Sequence, residues 1–361
     1  MPRARELAEL ATSYDSGGSL GFRNRIINGD CRIDQRNNGA SVTPATGTYN
    51  NYCVDRFPFS TDGGGRVTAQ QSSITPAGFP FSLGLTVQTA DAAIAAGDQY
   101  WLEHRIEGNN FADLAFGSAS AQTFTLSFWV RSSVTGTYSV AFRNNAGNRS
   151  YVAAYTVNAA NTWEQKTITV AGDTTGTWVA TNGIGIGILF DLGSGSTFNG
   201  TAGSWQTANL YRTSGSVNWI SNAGATFYIT GVQLEAGSVA TPFERRDYGR
   251  ELAMCQRYLP IFNAVTSSDP IGTHSLFTST AGAAQYTFDV QPRIPPTGLS
   301  VVGTIRATIP GNNTWTVTPT LAASSLRMAT LNLAGTGMGT GFGTLLSGSV
   351  PAQLQFTGCE L

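Results

Sequence analysis

The sequence predicts an all-β protein: a jelly-roll β-sandwich, a short helical connector and a second, smaller β domain, all preceded by a short N-terminal helical arm. Three observations predict it. Apolar and polar residues alternate in short runs from Arg23 onward, the period-two signature of strands half-buried in a sheet. Glycine reaches 42 of 361 residues, well above the ~7% of ordinary chains, and breaks those runs into turns. After Glu244 the period turns helical: Tyr248, Leu252, Cys255 and Leu259 are spaced by three or four, with Arg245, Arg246, Arg250 and Arg257 on other faces.

The elements follow in order. Residues 1–22 form the arm, in which Ala4, Leu7, Ala8 and Ala11 make one stripe with Leu10 beside it. A helix this short is unstable alone in water, where ~12–15 residues are already marginal. It therefore either frays or docks on a partner through Leu7 and Leu10. Ser16 to Ser19, with two glycines, is a hinge. Residues 23–243 form the sandwich, with strands expected at 26–33, 67–70, 83–87, 100–106, 124–130, 138–142, 152–157, 166–170, 184–190 and 226–234. Alternation on both sides of Gly136 signals a hairpin. Pro242 then turns the chain out, and the connector, 244–262, is expected to place Tyr248, Leu252 and Cys255 against partner chains. Residues 263–361 make the second β unit, with strands at 286–290, 299–307, 315–317, 326–333 and 354–356. Its scarcity of charge suits a surface covered by other chains.

Composition excludes several functions. The formal net charge is −1 and charged residues are only 12% of the chain, so there is no electrostatic footprint for nucleic acid or anionic lipid. No apolar run nears the ~20 residues of a membrane span, and the N-terminal arginines are followed by no apolar core, so no signal peptide is expected. Lys166 is the only lysine among 21 basic residues. Cys31, Cys53, Cys255 and Cys359 lack zinc-site spacing and read as independent buried thiols, with Cys31 and Cys53 meeting in one sheet as the alternative.

Catalytic chemistry finds little footing. His104 and His274 are the only histidines, too few for a histidine metal cluster, and no G-x-S-x-G motif occurs. Glu103 and Glu107, in YWLEHRIEG, lie about 13 Å apart along a strand, beyond the ~5–9.5 Å of a glycosidase pair. With Arg105 between them, they read as an exposed ion-paired strand. Asp30 and Asp34 read as turn and cap carboxylates, with a structural calcium ion as the alternative. No catalytic residue and no further cofactor is expected.

Binding has one candidate. The Gly/Ser-rich stretch 193–222 is too long for an ordinary connection and holds Phe198, Trp205, Tyr211 and Trp219. Trp205, Tyr211 and Trp219, rimmed by Asn199, Asn209 and Asn218, could stack on a pyranose. The same rings would serve equally to anchor a neighbouring subunit.

Two segments carry a resemblance. Residues 229–258, ITGVQLEAGSVATPFERRDYGRELAMCQRY, and residues 20–36, LGFRNRIINGDCRIDQR, followed by YCVDRF at 52–57, resemble tail-fibre-like structural proteins of tailed bacteriophages. PRARELAEL near the N-terminus is similar to the start common to such fibres. The resemblance covers the ends of residues 20–260 and is weak beyond 262. It implies a carbohydrate-binding-module-like jelly roll behind a virion-anchoring arm, with Trp163 as a core residue at a strand start. It implies a virion protein made in the host cytoplasm, homotrimeric, attached through its arm to another tail or head protein, and binding a host-surface glycan. The alternatives are a head fibre or capsid decoration, a purely structural tail component, and a polysaccharide-degrading tailspike.

Overall fold

The computed structural model describes residues 22–311 and 313–361; the expected arm, with Leu7, Leu10 and the hinge, lies outside the described residues. The chain divides into two compact units, one running to Arg246 and one from Asp247 to Glu360.

The first unit is a sandwich of two antiparallel sheets. Across the seven-stranded sheet run β1 (Thr48–Val54), β2 (Phe57–Asp62), β5 (Gln99–Glu107), β10 (Ile184–Asp191), β7 (Gly136–Arg143), β8 (Ser150–Val157) and β11 (Trp205–Gln206). The five-stranded sheet holds β3 (Arg66–Ser72), β4 (Ser82–Thr89), β12 (Thr226–Ala236), β6 (Phe124–Ser132) and β9 (Glu164–Val170). The chain crosses repeatedly between the sheets, as in a jelly roll. Alternation supplies the core: Phe124, Leu126, Phe128 and Val130 of β6 face Ile186, Ile188 and Phe190 of β10, all buried. Phe128 meets Phe190 edge-on at 5.1 Å, a geometry worth about 0.5–1.5 kcal/mol beyond the area it buries.

Two expectations about this unit are corrected. Residues 26–33 form no strand, because Asn28 and Cys31 adopt left-handed φ of 60° and 55°. The Asn28 side chain replaces the ladder: its Oδ1 accepts from the Ile33 amide at 2.9 Å, and its Nδ2 donates to the carbonyls of Ile33 and Asp55, each at 2.8 Å. Ile26, Cys31 and Ile33 are buried all the same. Nor do β6 and β7 make a hairpin. β6 pairs with β12 and β9, β7 with β10 and β8, so residues 133–135 arch from one sheet to the other. The Tyr138 hydroxyl pins that arch by donating to the Val134 carbonyl at 2.8 Å.

The first described residues are bound to the last strand of the same unit. The Arg25 amide donates to the Leu234 carbonyl at 2.8 Å and the Val232 amide to Gly29 at 2.9 Å. Asn24 closes a pair with β12, its Oδ1 accepting from Leu234 at 3.1 Å and its Nδ2 donating to Val232 at 3.1 Å. Beyond the strand, Arg246 donates to the carbonyls of Ile26, at 3.0 Å, and Asn24, and the Asn24 amide donates to Glu244 at 2.5 Å. A Cβ at position 29 would lie 2.1 Å from the Val232 carbonyl oxygen, so only glycine permits the approach. This clasp joins the two segments that carry the sequence resemblance.

The second unit opens with α1 (Tyr248–Gln256), capped by Asp247, whose carboxylate accepts from the amides of Gly249 and Arg250. Tyr248 is exposed and Leu252 half-buried, but Cys255 is 1% exposed. Cys255 therefore packs within the chain, which corrects its expected place at a partner interface. β13 (Ile261–Asn263) belongs to a three-stranded sheet with β21 (Gln353–Thr357) and β16 (Gly298–Val302). A closed barrel follows the order β14 (Pro270–Leu276), β15 (Ala281–Thr287), β19 (Met328–Ala334), β18 (Asn313–Ser324), β17 (Ile305–Ile309) and β20 (Gly341–Ser347). The single strand expected at 299–307 is two, β16 and β17, broken at Gly303 with φ of 73°. Among the described residues no helix is long and apolar enough to cross a membrane.

Candidate functional site

Along β5 the side chains alternate: Tyr100, Leu102 and Ile106 enter the core, while Trp101, Glu103 and Arg105 lie on the outer face of the seven-stranded sheet. Register sets that face in rows. Trp101 lies beside Asp191 and Ser139, Glu103 beside Leu189 and Ala141, and Arg105 beside Gly187 and Arg143.

Residues 192–222 fold back over the first two rows. The Thr213 amide donates to Ser139 Oγ at 3.1 Å and the Val217 amide to the Thr137 carbonyl at 2.7 Å. Beneath this cover Phe198, Tyr211, Trp101, Ala141, Val152 and Leu189 form a second apolar cluster outside the sandwich. The Phe198 and Tyr211 rings stack at 4.4 Å, and Tyr211 meets Trp101 at 4.8 Å. The Tyr211 hydroxyl donates to Gln99 Oε1 at 3.0 Å, and burial pushes that phenol well above its ordinary pKa.

The expected aromatic platforms are thereby corrected. Tyr211 and Trp219 are each 0% exposed. Trp219 sits in the main core, where its indole N–H reaches the Thr226 carbonyl at 3.3 Å. Neither ring has a face open to a sugar or to a second subunit, because a loop this long holds its place by burying its own apolar side chains. Trp205 is half-buried among Phe116, Tyr151 and Trp178 at 5.3–5.7 Å, its N–H donating to the Ala171 carbonyl at 2.8 Å. Trp163 is half-buried at the start of β9, 6.4 Å from Tyr228. The open ring on this face is Tyr49, 42% exposed, stacked on Trp101 at 5.9 Å and 10°. Sequence reasoning missed it: β1 has no clean alternation, and nothing local announces that Trp101 lies beneath.

The expected polar rim does assemble in part. Asn199 and Asn218 line an open pocket of about 210 Å³ together with Ile94, Ser196, Arg212 and Ser214. Asn209 instead accepts from Arg143 at 3.0 Å. Gly195 lets the pocket wall lie on residues 95–96, since a Cβ there would come within 2.1 Å of the Ala95 carbonyl oxygen. Asp191 anchors the wall, accepting from the amides of Ser194 at 2.9 Å and Gly193 at 3.3 Å. Burial raises the Asp191 carboxyl above its ordinary pKa, while Arg212, with Nε 3.7 Å away, pulls the other way. Arg212 Nη2 donates to the Ser216 carbonyl at 2.7 Å and to Asn218 Oδ1 at 2.8 Å.

The remaining candidates hold structure together. Glu103 and Glu107 are each 1% exposed, so the strand expected to be exposed is buried. Its ion pairs are nonetheless present, with Glu103 at 2.8 Å from Arg105 and 3.7 Å from Arg143, and Glu107 accepting from Asn109 at 3.0 Å. No carboxylate pair faces a ligand there. His104 is buried between the Ile27 amide, 3.3 Å from Nε2, and the Arg56 carbonyl, 3.1 Å from Nδ1. Burial, reinforced by Arg56, holds it well below the usual histidine pKa. All four cysteines are buried free thiols, and burial pushes Cys53 up to about 12. Asp34 caps a turn, accepting from the amides of Asn37 and Gly39, and Asp30 lies 3.4 Å from Arg32 Nε. Among the described residues no group of three or more His, Cys, Asp or Glu is placed to hold a metal.

No protein-family model and no curated protein matches this sequence. Among solved structures, a putative sugar binding protein from Bacteroides thetaiotaomicron is similar at 13% identity and TM-score 0.32, over 60% of this chain and 100% of that one. A family 11 carbohydrate-binding module of a Clostridium thermocellum cellulase is similar at 12% identity and TM-score 0.28, over 55% and 100%. The enzymatically active domain of tailspike protein 4 of bacteriophage CBA120 is similar at 14% identity and TM-score 0.31. That match covers 59% of this chain and only 21% of the tailspike chain.

Proposed function

We propose that this chain is a bacteriophage virion structural protein, a tail fibre that holds a host-surface glycan in the pocket under loop 192–222. The observation that carries the reading is the pocket itself. Asn199, Ser196 and Ser214 present amide and hydroxyl groups at its wall, and their side chains make no hydrogen bond to other described residues. A glycan is a dense array of hydroxyls, and such unspent donors and acceptors are what it needs from a site. Tyr49 adds an open aromatic face on the same sheet. The virion role rests on the resemblance at residues 20–57 and 227–260, whose parts meet in the clasp. The fibre works as a homotrimer, joined to another virion protein through its arm, and three weak sites then give adsorption by avidity.

The test is binding of the soluble chain to purified host surface polysaccharide, with Asn199→Ala and Ser214→Ala combined. Neither side chain supports the fold, so melting and oligomer mass should stay unchanged while affinity falls several-fold. Undiminished affinity would remove the pocket from the reading. Immunogold microscopy that places the protein on the head would replace the tail fibre by a head fibre.

A further inference from the structure

We infer that the pocket reads a carboxylate: the glycan unit it takes is an acidic sugar, gripped by Arg212. This rests on the glycan-binding reading above and names the class of sugar. Arg212 lines the pocket yet is only 5% exposed, so its guanidinium is held rather than free to swing. Its Nη2 hydrogens are committed to the Ser216 carbonyl and to Asn218 Oδ1. Nε points toward Asp191 at 3.7 Å without a hydrogen bond. That leaves Nη1, which donates to nothing among the described residues.

Asp191 pairs with Arg212 from the Nε side and leaves Nη1 open. Its oxygens already accept from the amides of Gly193 and Ser194, so it is shared between the loop backbone and Arg212. Among the residues lining the pocket Arg212 carries the only charge, and its counter-ion Asp191 lies behind the wall, buried and out of a ligand's reach. An arginine positioned with an open N–H edge in a partly desolvated wall favours an anionic oxygen, because a charge-assisted bond is roughly twice as strong as a neutral one. Asn199 and Asn218 supply amide donors beside it, enough to take the second carboxylate oxygen. A carboxyl group is planar and matches this edge. A neutral hydroxyl would leave the charged Nη1 donors without an anionic acceptor.

Titration calorimetry of the full-length chain against glucuronic acid, its methyl ester, glucose and glucose 6-phosphate tests the inference. The free acid should bind about tenfold more tightly than the ester or glucose, and Arg212→Gln should abolish that preference. Because Arg212 braces the loop, melting of the variant is followed alongside. The acid-to-ester ratio in the unmodified protein needs no variant. Equal binding of acid, ester and glucose would overturn the carboxylate while leaving the glycan reading standing. Tighter binding of the phosphate than of the acid would overturn it in favour of a phosphorylated ligand. Absence of binding by all four, and of binding to host polysaccharide, would overturn both readings.

Discussion

Two tryptophans of one loop have different fates, and the difference lies in what each ring touches. Trp219 is sealed in the sandwich core, whereas Trp205 is half-buried on an edge strand. Replacing Trp219 with Ala should therefore cost about 3–5 kcal/mol, and Trp205→Ala distinctly less. Urea unfolding of both variants checks the order, and equal losses would contradict it. Nothing in the local sequence separates these residues. Tyr211 acquires its role from Trp101 and Gln99, more than a hundred positions earlier in the chain, so an aromatic in a Gly/Ser-rich stretch reads equally as platform and as packing. The polar side of the same loop was more legible. Asn199 lines the pocket because a short amide in a turn faces solvent unless something claims it, as Arg143 claims Asn209; Asn218 lines it while held by Arg212.

At the scale of elements, alternation located strands but said nothing of their partners. β3 to β10 and β12 each fall where apolar and polar residues alternate, yet β6 and β7 arch between sheets instead of pairing, since burying one face on a shared core imposes the same pattern either way. The stretch 26–33 shows the converse: apolar spacing there reports burial, and the left-handed Asn28 decides against a strand. The clasp depends on one residue of that stretch. Gly29→Ala would drive a Cβ into the Val232 carbonyl, a backbone atom that cannot step aside. The expected cost is about 1–3 kcal/mol, together with faster proteolytic release of the segment preceding Cys31. A variant that resists protease as well as the unmodified protein would show that β12 shifts to accommodate the methyl group.

Across the whole molecule, both histidines are buried and both lie below the ordinary histidine pKa, His104 through burial and Arg56, His274 through burial. Above pH ~6.5 they are neutral folded or unfolded and contribute no pH dependence. Below it the unfolded chain takes up protons that the native state refuses, so stability falls by about 1.4 kcal/mol per pH unit for each histidine until its folded pKa is reached. His104→Gln, which keeps a donor and an acceptor, should lose up to one proton's worth of that slope between pH 6.5 and 5.5 in urea titrations. An unaltered slope would mean that His104 is protonated in the native state. The all-β class was legible because composition and period report it directly. The clasp was not, since it joins segments some 200 positions apart and nothing in the residue types of Asn24, Gly29, Glu244 and Arg246 names their partners. It has a mechanical consequence. Tension applied between residues 24 and 244 is borne by the short hydrogen bonds among Asn24, Ile26, Glu244 and Arg246, where the two ends of the sandwich meet. The seven-stranded sheet, over which residues 192–222 fold, contributes none of these four residues, so a pull between residues 24 and 244 would load the clasp before it loads that sheet.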